Sequence, residues 1–300
     1  MSVIERAIDK LRLGGNATPS PLQETIVAHA RPSEVEIPAI IEAPLDPRIF
    51  IDREALRLAG YLPESDQDRR FADEYRHIKR PLLVSAFGAV PPGQAKLPSP
   101  RLVMMASALP GDGKTFTSIN LALSLAREKD TSVVLVDGDA AKPHISRIFG
   151  VETWPGLLDV LANPNMDVQD LILQTDCRGL SILPAGTAED GATELLSSGR
   201  MKAVANRLIE RNPRCIALFD SSPLLVSSES LALASAMGQV VLVVRAGHTP
   251  RHAVIDAVES LAEEIPLSLV LNQGRRGLSE GRYGYGYGYG SGYGDQEGKG

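Results

Sequence analysis

From residue 101 to residue 272, short runs of consecutive apolar residues alternate with longer segments of helical pattern. The apolar runs are rich in Val, Ile and Leu, as expected for parallel strands that are buried on both faces. The intervening segments 115–127, 192–211 and 250–264 are long enough for crossover helices. This alternation predicts an α/β fold with a mostly parallel sheet flanked by helices. The predicted strands are Leu102–Ala106, Val133–Val136, Leu180–Leu183, Cys215–Phe219, Val240–Val244 and Leu267–Leu271.

The first residues of the chain have the pattern of a short amphipathic helix. Within residues 2–12, Ile4, Ile8 and Leu11 fall on one side, and charged residues surround them. We expect this helix to dock on its own domain or on a neighbouring one. A membrane-surface role is less favoured, because the apolar face is short and the polar face is not strongly basic.

Proline and glycine divide the rest of the chain into segments. Six prolines between residues 19 and 47 exclude long regular helices and predict a linker. Residues 69–83 have a helical pattern, and a second linker is expected at 88–100. Near the C-terminus glycine alternates with tyrosine, which leaves few side chains to bury and predicts disorder. The predicted organisation is an N-terminal helix and linker at 1–68, one folded domain at 69–275, and a flexible Gly/Tyr tail at 276–300.

Composition narrows the class of protein. The 300 residues are 43% hydrophobic and have a net charge of −6, so the chain has enough apolar residues for a core and does not favour nucleic acid as a partner. The two cysteines, Cys177 and Cys215, have neither metal-binding nor redox spacing, which is consistent with a reducing compartment. No signal peptide is evident, and no apolar run approaches the ~18 residues that span a bilayer.

The first predicted strand runs into a loop typical of phosphate binding. Residues 107–115 read Ser-Ala-Leu-Pro-Gly-Asp-Gly-Lys-Thr and precede a predicted helix, which is the context that a P-loop requires. The glycines allow backbone N–H groups to approach phosphate oxygens, and the helix N-terminus adds its positive dipole end. Lys114 is expected to reach the terminal phosphates of ATP, and Thr115 is expected to bind Mg²⁺. The common pattern has glycine where this chain has Ala108.

Carboxylates follow two later strands. Asp137 and Asp139 end the second predicted strand, where their spacing places both side chains on one side of the chain. Ligands of open α/β sheets bind at this edge. Two carboxylates beside a phosphate site can hold Mg²⁺, and one of them can accept a proton from an attacking hydroxyl. Asp220 ends another apolar strand, as does the Mg²⁺-side carboxylate of P-loop enzymes.

These three motifs together resemble the bacterial tyrosine kinases of polysaccharide export. The resemblance extends over residues 71–273 and the tyrosine-rich tail. It includes Gly-Leu-Leu-Asp at 156–159, Leu-Pro-Ala-Gly at 183–186, Val-Val-Arg at 243–245 and Val-Leu-Asn-Gln at 270–273. The opening Ser-Val-Ile-Glu-Arg-Ala and the segment 75–83 are similar to the exosortase-associated (XrtA-associated) autokinase subgroup.

The resemblance implies a role for each matching residue. Lys114 and Thr115 would bind ATP and Mg²⁺, Asp137 would act as the base, and Asp139 and Asp220 would support Mg²⁺. Asn272 would contact the adenine, by analogy with related ATPases. The catalytic set is thus Lys114, Asp137 and Asp139, and the metal set is Thr115, Asp139 and Asp220. The residues expected at the nucleotide are Pro110, Gly111, Asp112, Gly113, Lys114, Thr115, Phe116 and Asn272.

The resemblance also implies partners and a location. Asp73, Arg76 and Lys79 stand where the family has a helix that contacts a neighbouring subunit, so the chain is expected to form a homo-oligomer, as in a ring. A membrane-anchored polysaccharide co-polymerase would be a second partner. The expected location is the cytoplasm, peripheral to the inner membrane through that partner.

The tail offers phosphate acceptors. A flexible tether gives its tyrosines a high local concentration near an active site, although Gly-Tyr repeats also occur in self-associating segments. Two alternatives to a kinase remain open: a partition or positioning ATPase switch, although the signature lysine of that class is absent at Leu109 and Pro110, and an ATP-binding regulatory adaptor. The expected acceptors are Tyr283, Tyr285, Tyr287, Tyr289 and Tyr293.

Overall fold

A central seven-stranded sheet organises the part of the chain that the computed structural model describes, namely residues 48–64, 67–88, 98–187 and 191–274. The strand order is β3-β4-β2-β5-β1-β6-β7. Every neighbouring pair is parallel except β3 with β4. The predicted α/β fold is therefore confirmed. The strands are β1 (Leu102–Ser107), β2 (Ser132–Asp137), β3 (Leu173–Gln174), β4 (Leu180–Leu183), β5 (Cys215–Asp220), β6 (Gln239–Arg245) and β7 (Leu267–Asn272).

Helices cover both faces of this sheet. Side chains alternate across β1, so that Leu102 and Met104 belong to one hydrophobic cluster, whereas Val103 and Met105 belong to the other. Helices α5 to α9 pack into the first cluster and α1 to α4 into the second. The helices are α1 (Arg53–Leu58), α2 (Asp68–Phe87), α3 (Lys114–Leu125), α4 (His144–Ile148), α5 (Leu157–Ala162), α6 (Ala192–Ser197), α7 (Gly199–Glu210), α8 (Ser228–Ala234) and α9 (Arg251–Glu259).

Most predicted elements are confirmed, with one helix divided. The segment 192–211 forms α6 and α7 rather than one helix, because Ser198 between them has an extended backbone, with φ −67° and ψ 153°. The short strand β3 was not predicted, since its two residues are too few for a periodic signal. The helix expected at 69–83 is present and extends to Phe87, with Pro81 inside it.

The packed unit includes residues before the predicted domain start at 69. Ile51 and Leu56 are buried in the same cluster as Tyr75 of α2. The backbone of Ile49 is hydrogen-bonded to Gln174 and Asp176, which ties this segment to the β3 edge of the sheet. The apolar run Ile49-Phe50-Ile51 is short and directly follows the proline-rich segment, so no long periodic pattern marks it as part of the domain.

Several predictions concern residues outside the described ranges. They are the N-terminal helix at 2–12, the linker at 19–47, most of the second linker at 88–100, and the tyrosine tail. In the ranges that are described, no helix combines the length and the apolar character needed to cross a bilayer.

Candidate functional site

The phosphate loop joins β1 to α3 at the carboxyl edge of the sheet. Gly111 and Gly113 have positive φ angles of 86° and 88°, a conformation that side chains disfavour. A Cβ atom on Gly113 would also lie 2.0 Å from the side-chain nitrogen of Asn272. The glycines at 111 and 113 are therefore required for the shape of this loop.

Helix α3 begins directly at Lys114 and points its N-terminus at the loop. Gly113 is the N-cap residue, and no side chain caps the first turn. The first N–H groups of a helix have no partners within it, so an uncapped helix start is suited to bind an anion. The ring of Phe116, in this first turn, packs edge-on against Phe71 of α2, with 6.0 Å between the ring centroids.

Three side chains of α3 converge on Asp220 at the end of β5. Lys114 Nζ lies 2.9 Å from Asp220 Oδ1, and Thr115 Oγ1 donates to Oδ2 at 2.8 Å. Ser118 Oγ donates to Oδ1 at 2.8 Å. Asp220 is fully buried, so these donors and the lysine charge compensate the loss of water around its carboxylate. The sequence reasoning missed Ser118, although its position one turn after Lys114 places both on one helix face.

Asp137 stands beside Asp220 in the register of β2 and β5. It is 1% exposed, and its Oδ2 atom accepts hydrogen bonds from the backbone nitrogen and the hydroxyl of Ser146, each at 2.7 Å. Burial raises the pKa of Asp137 to about 7, Asp220 adds to this rise, and the hydrogen bonds from Ser146 oppose it. The structure therefore brings two predicted carboxylates together and gives one of them a pKa near neutrality.

Asp139 is buried two residues further on, in the loop after β2. Its Oδ1 atom accepts from the hydroxyl of Ser222 at 2.6 Å and from the backbone nitrogen of Lys142 at 3.0 Å. Ser222 follows β5, so this contact joins the ends of two adjacent strands.

The loop is attached to two later elements through Asp112. The backbone carbonyl of Asp112 accepts from Asn272 Nδ2 at 2.9 Å, and its carboxylate accepts from Thr249 Oγ1 at 2.6 Å. Asn272 Oδ1 in turn accepts from the backbone of Gln273 at 2.9 Å. In this structure the amide of Asn272 thus contacts the phosphate loop, and its role toward adenine stays a prediction. Sequence reasoning missed Thr249, since nothing in its local pattern relates it to the loop.

Two of the motifs that support the family resemblance, at 156–159 and 183–186, contact one another. The backbone nitrogens of Leu157 and Leu158 donate to the carbonyls of Pro184 and Ala185 at 2.9 and 2.8 Å. Asp159 Oδ2 accepts from the nitrogens of Gly156 and Thr187 at 2.8 and 3.1 Å. The start of α5 and the loop after β4 therefore support one another beside the site. We call residues 156–159 and 184–187 the α5–β4 clasp.

The helix expected at a subunit contact uses its three charged residues in two ways. Asp73 and Arg76 form an exposed ion pair of 2.7 Å on the surface of α2. Lys79 instead lies 2.5 Å from Glu128 and donates to the carbonyl of Ser124 at 3.2 Å. Within the chain, Lys79 thus fastens α2 to the end of α3, and the oligomer contact stays a prediction.

The donor chemistry of the site fits ATP with Mg²⁺. The described residues contain no group of three His, Cys, Asp or Glu side chains placed to hold a metal ion by themselves. Mg²⁺ is usually bound by one or two protein oxygens together with substrate phosphates and water. Hydroxyl and carboxylate oxygens of this type are present at Thr115 and Asp220, 2.8 Å apart, beside the uncapped start of α3.

Comparison with known proteins gives named relatives. Tyrosine-protein kinase YwqD of Bacillus subtilis (strain 168) is 31% identical over 185 residues, which cover 61% of this chain and 76% of YwqD. Tyrosine-protein kinase ptk of Acinetobacter johnsonii is 28% identical over 148 residues, or 49% of this chain and 20% of ptk. The chain thus spans about three quarters of YwqD and a fifth of ptk. No family model matches it.

A solved structure of a kinase domain is also similar to this chain. The kinase domain of VpsO is 29% identical, with a TM-score of 0.56, and the match covers 71% of this chain and 100% of that domain. The P-loop NTPase-like fold, with its mostly parallel sheet between helices, is therefore common to both proteins.

Proposed function

Because this chain belongs to the family of bacterial tyrosine-protein kinases, we propose that it transfers the γ-phosphate of ATP to tyrosine, with its own tail as acceptor. The observation that supports this best is the pairing of Asp137 with Asp220. One buried carboxylate has a pKa near neutrality, and its neighbour is bound by Lys114 and Thr115 of the phosphate loop. The proposed acceptors are Tyr283, Tyr285, Tyr287, Tyr289 and Tyr293.

Residues of the loop would bind the triphosphate. The backbone N–H groups of residues 110–116 and the start of α3 would contact its oxygens. The ammonium of Lys114, now on Asp220, would compensate charge at the terminal phosphates. Asn272 would adjoin the adenine. Phosphoryl transfer depends mainly on such positioning and charge compensation, so these contacts are expected to contribute much of the catalysis.

Asp137 would act as the base. The tyrosine oxygen forms a bond to the γ-phosphorus, the bond from that phosphorus to the β,γ-bridging oxygen breaks, and ADP leaves with that oxygen. The phenolic proton passes to the carboxylate of Asp137. A pKa of about 7 suits this exchange, because a base is most effective when its pKa lies near the working pH. Asp139, held by Ser222, would support the metal side of the site.

Mg²⁺, when bound, would neutralise charge that develops on the phosphate oxygens. Thr115 would be its direct ligand, and Asp139 and Asp220 would orient the surrounding oxygens. The proposed assembly is a homo-oligomer, as in a ring, peripheral to the inner membrane through a membrane-anchored polysaccharide co-polymerase. The proposed process is regulation of exopolysaccharide polymerisation and export, within the exosortase-associated subgroup.

Intact-mass spectrometry of the purified chain with ATP and Mg²⁺ tests the activity. We expect added phosphates on the wild type, and none on Lys114→Met or on a chain ending at Gln273. Lys129→Met, at an exposed lysine just after α3, is the matched control and should behave as the wild type. Turnover of ATP without phosphate on the wild-type tail would contradict the kinase and favour the ATPase switch. Binding of ATP with neither turnover nor phosphorylation would favour the adaptor.

A further inference from the structure

We propose that Ser146 is a positioning residue for Asp137. Ser146 binds one oxygen of the Asp137 carboxylate, Oδ2, and the other oxygen, Oδ1, is left to receive the proton of the acceptor tyrosine. This inference rests on the proposed kinase function and assigns the proton to one atom. Ser146 belongs to none of the motifs that the sequence suggested. It lies in α4, nine residues after Asp137.

The Oδ2 atom of Asp137 accepts two hydrogen bonds from Ser146. Both the amide nitrogen and the hydroxyl of Ser146 lie 2.7 Å from this atom. Both residues are 1% exposed, so water does not compete for these contacts. Hydrogen bonds to a buried carboxylate are stronger than those between neutral groups. Two such bonds from a single residue hold the carboxylate plane of Asp137 in one orientation.

The two contacts of Ser146 Oγ fix the direction of its hydroxyl proton. The backbone nitrogen of Ala185, in the loop after β4, lies 3.0 Å from Ser146 Oγ and can only donate to it. The hydroxyl therefore accepts from Ala185 and donates its own proton to Asp137. Because the α5–β4 clasp holds the backbone of Ala185, the orientation of the base depends on contacts outside its own strand.

The other carboxylate oxygen of Asp137, Oδ1, has a weaker hydrogen bond than Oδ2. Among the described residues, the backbone nitrogen of Asp139 donates to Oδ1 at 3.4 Å, which is long for a hydrogen bond. A carboxylate oxygen has two lone pairs, so Oδ1 retains the capacity to accept a proton. The two oxygens of Asp137 are thus unequal before any substrate arrives, and the phenolic proton goes to Oδ1.

The test compares Ser146→Ala with Ser146→Thr, which retains the hydroxyl, in the full chain. Loss of a hydrogen-bonding partner that orients a metal-binding side chain lowers activity about 10-fold to 100-fold, and we use the same range for the partner of a catalytic carboxylate. We expect a fall of this size in kcat for tyrosine phosphorylation with Ser146→Ala, an unchanged KM for ATP, and recovery with Ser146→Thr. Ser235→Ala, at an exposed serine, is the matched control. Ser146→Cys, whose thiol is a weak donor, replaces the alanine variant if that variant does not fold.

A double-mutant comparison separates positioning from a general loss of structure. In the Asp137→Asn background we expect Ser146→Ala to cause no further fall in kcat, because the group that it orients is already absent. An additive fall, or a rise in KM for ATP with kcat preserved, would overturn the assignment of Ser146. Tail phosphorylation at the wild-type rate in Ser146→Ala would overturn that assignment alone. Absence of phosphotyrosine in the wild type would overturn the kinase function as well.

Discussion

The hydroxyl of Thr249 donates a hydrogen bond of 2.6 Å to the carboxylate of Asp112, across 137 residues of sequence. An acidic residue in a phosphate-binding loop would repel the ligand if its carboxylate pointed toward the ligand. Here Asp112 is 1% exposed and is also bound by the backbone nitrogen of Leu109 at 3.3 Å. Thr249 thus helps to hold this charge in a fixed position and fastens the loop to the segment after β6.

Thr249→Val should weaken nucleotide binding, since it removes the donor and retains the shape of the side chain. Without this donor the Asp112 carboxylate is released from its fixed position beside the phosphates, so the Kd for ADP should rise about 10-fold, equivalent to about 1.4 kcal/mol of binding free energy. Titration with a fluorescent ADP analogue measures this change. Thr153→Val, at an exposed threonine, is the control and should bind as the wild type. Equal affinities of the wild type and Thr249→Val would contradict the role of this contact.

Lys114→Met should destabilise the protein as well as prevent ATP binding. Asp220 is fully buried, and the variant leaves its carboxylate without a cationic partner. Breaking a buried ion pair from one side costs about 3–5 kcal/mol, measured by urea unfolding without nucleotide. Adding Asp220→Asn should restore part of the lost free energy of unfolding, because the unpaired charge is then removed. A double variant less stable than Lys114→Met would contradict this explanation.

Gly156→Ala should disrupt the α5–β4 clasp. A Cβ atom at this position would lie 2.1 Å from the carbonyl oxygen of Pro184, a backbone atom that cannot move aside freely. Overpacking of this kind costs about 1–3 kcal/mol, measurable by urea unfolding. Gly199→Ala in α7 is the matched control, since no atom lies within 4 Å of its added Cβ. Equal effects of the two substitutions would show that the close approach at Gly156 is not required.

The ion pair between Asp167 and Arg207 should make the free energy of unfolding depend on pH. Arg207 binds Asp167 with hydrogen bonds of 2.7 and 3.3 Å, and these lower the pKa of Asp167 to about 2, with help from the backbone of Gln169. A carboxylate with a lowered pKa stabilises the fold above its unfolded pKa, and this contribution is lost as the pH falls through the folded value.

The measurement is the difference in free energy of unfolding between the wild type and Asp167→Asn. It should be constant above about pH 5 and shrink as the pH falls from about 4 toward 2. Glu152→Gln, at an exposed position, should show no comparable trend and serves as the control. A difference that grows on acidification would have the wrong sign for this ion pair.

Much of the fold was predictable because its signals are local. The strands β1, β2 and β5 are apolar at nearly every position, and each ends in or near a polar residue of the site. Parallel strands align their carboxyl ends, so a P-loop and strand-end aspartates were expected at one edge. The register of Asp137 with Asp220 agrees with that expectation.

The sequence by itself determined the α/β class, the phosphate loop and the carboxylates at the strand ends. The physical reason is that these features depend on continuous apolar runs, strand-end residues and glycine spacing, all of which lie within a few residues of sequence. Only the tertiary structure decided that Ser146, Ser118 and Thr249 belong to the site, and that Ile51 and Leu56 belong to the domain. Serine and threonine are common at surfaces and caps, so their types alone do not identify such roles. Their partners lie up to 137 residues away, and only the folded chain brings them within hydrogen-bond distance.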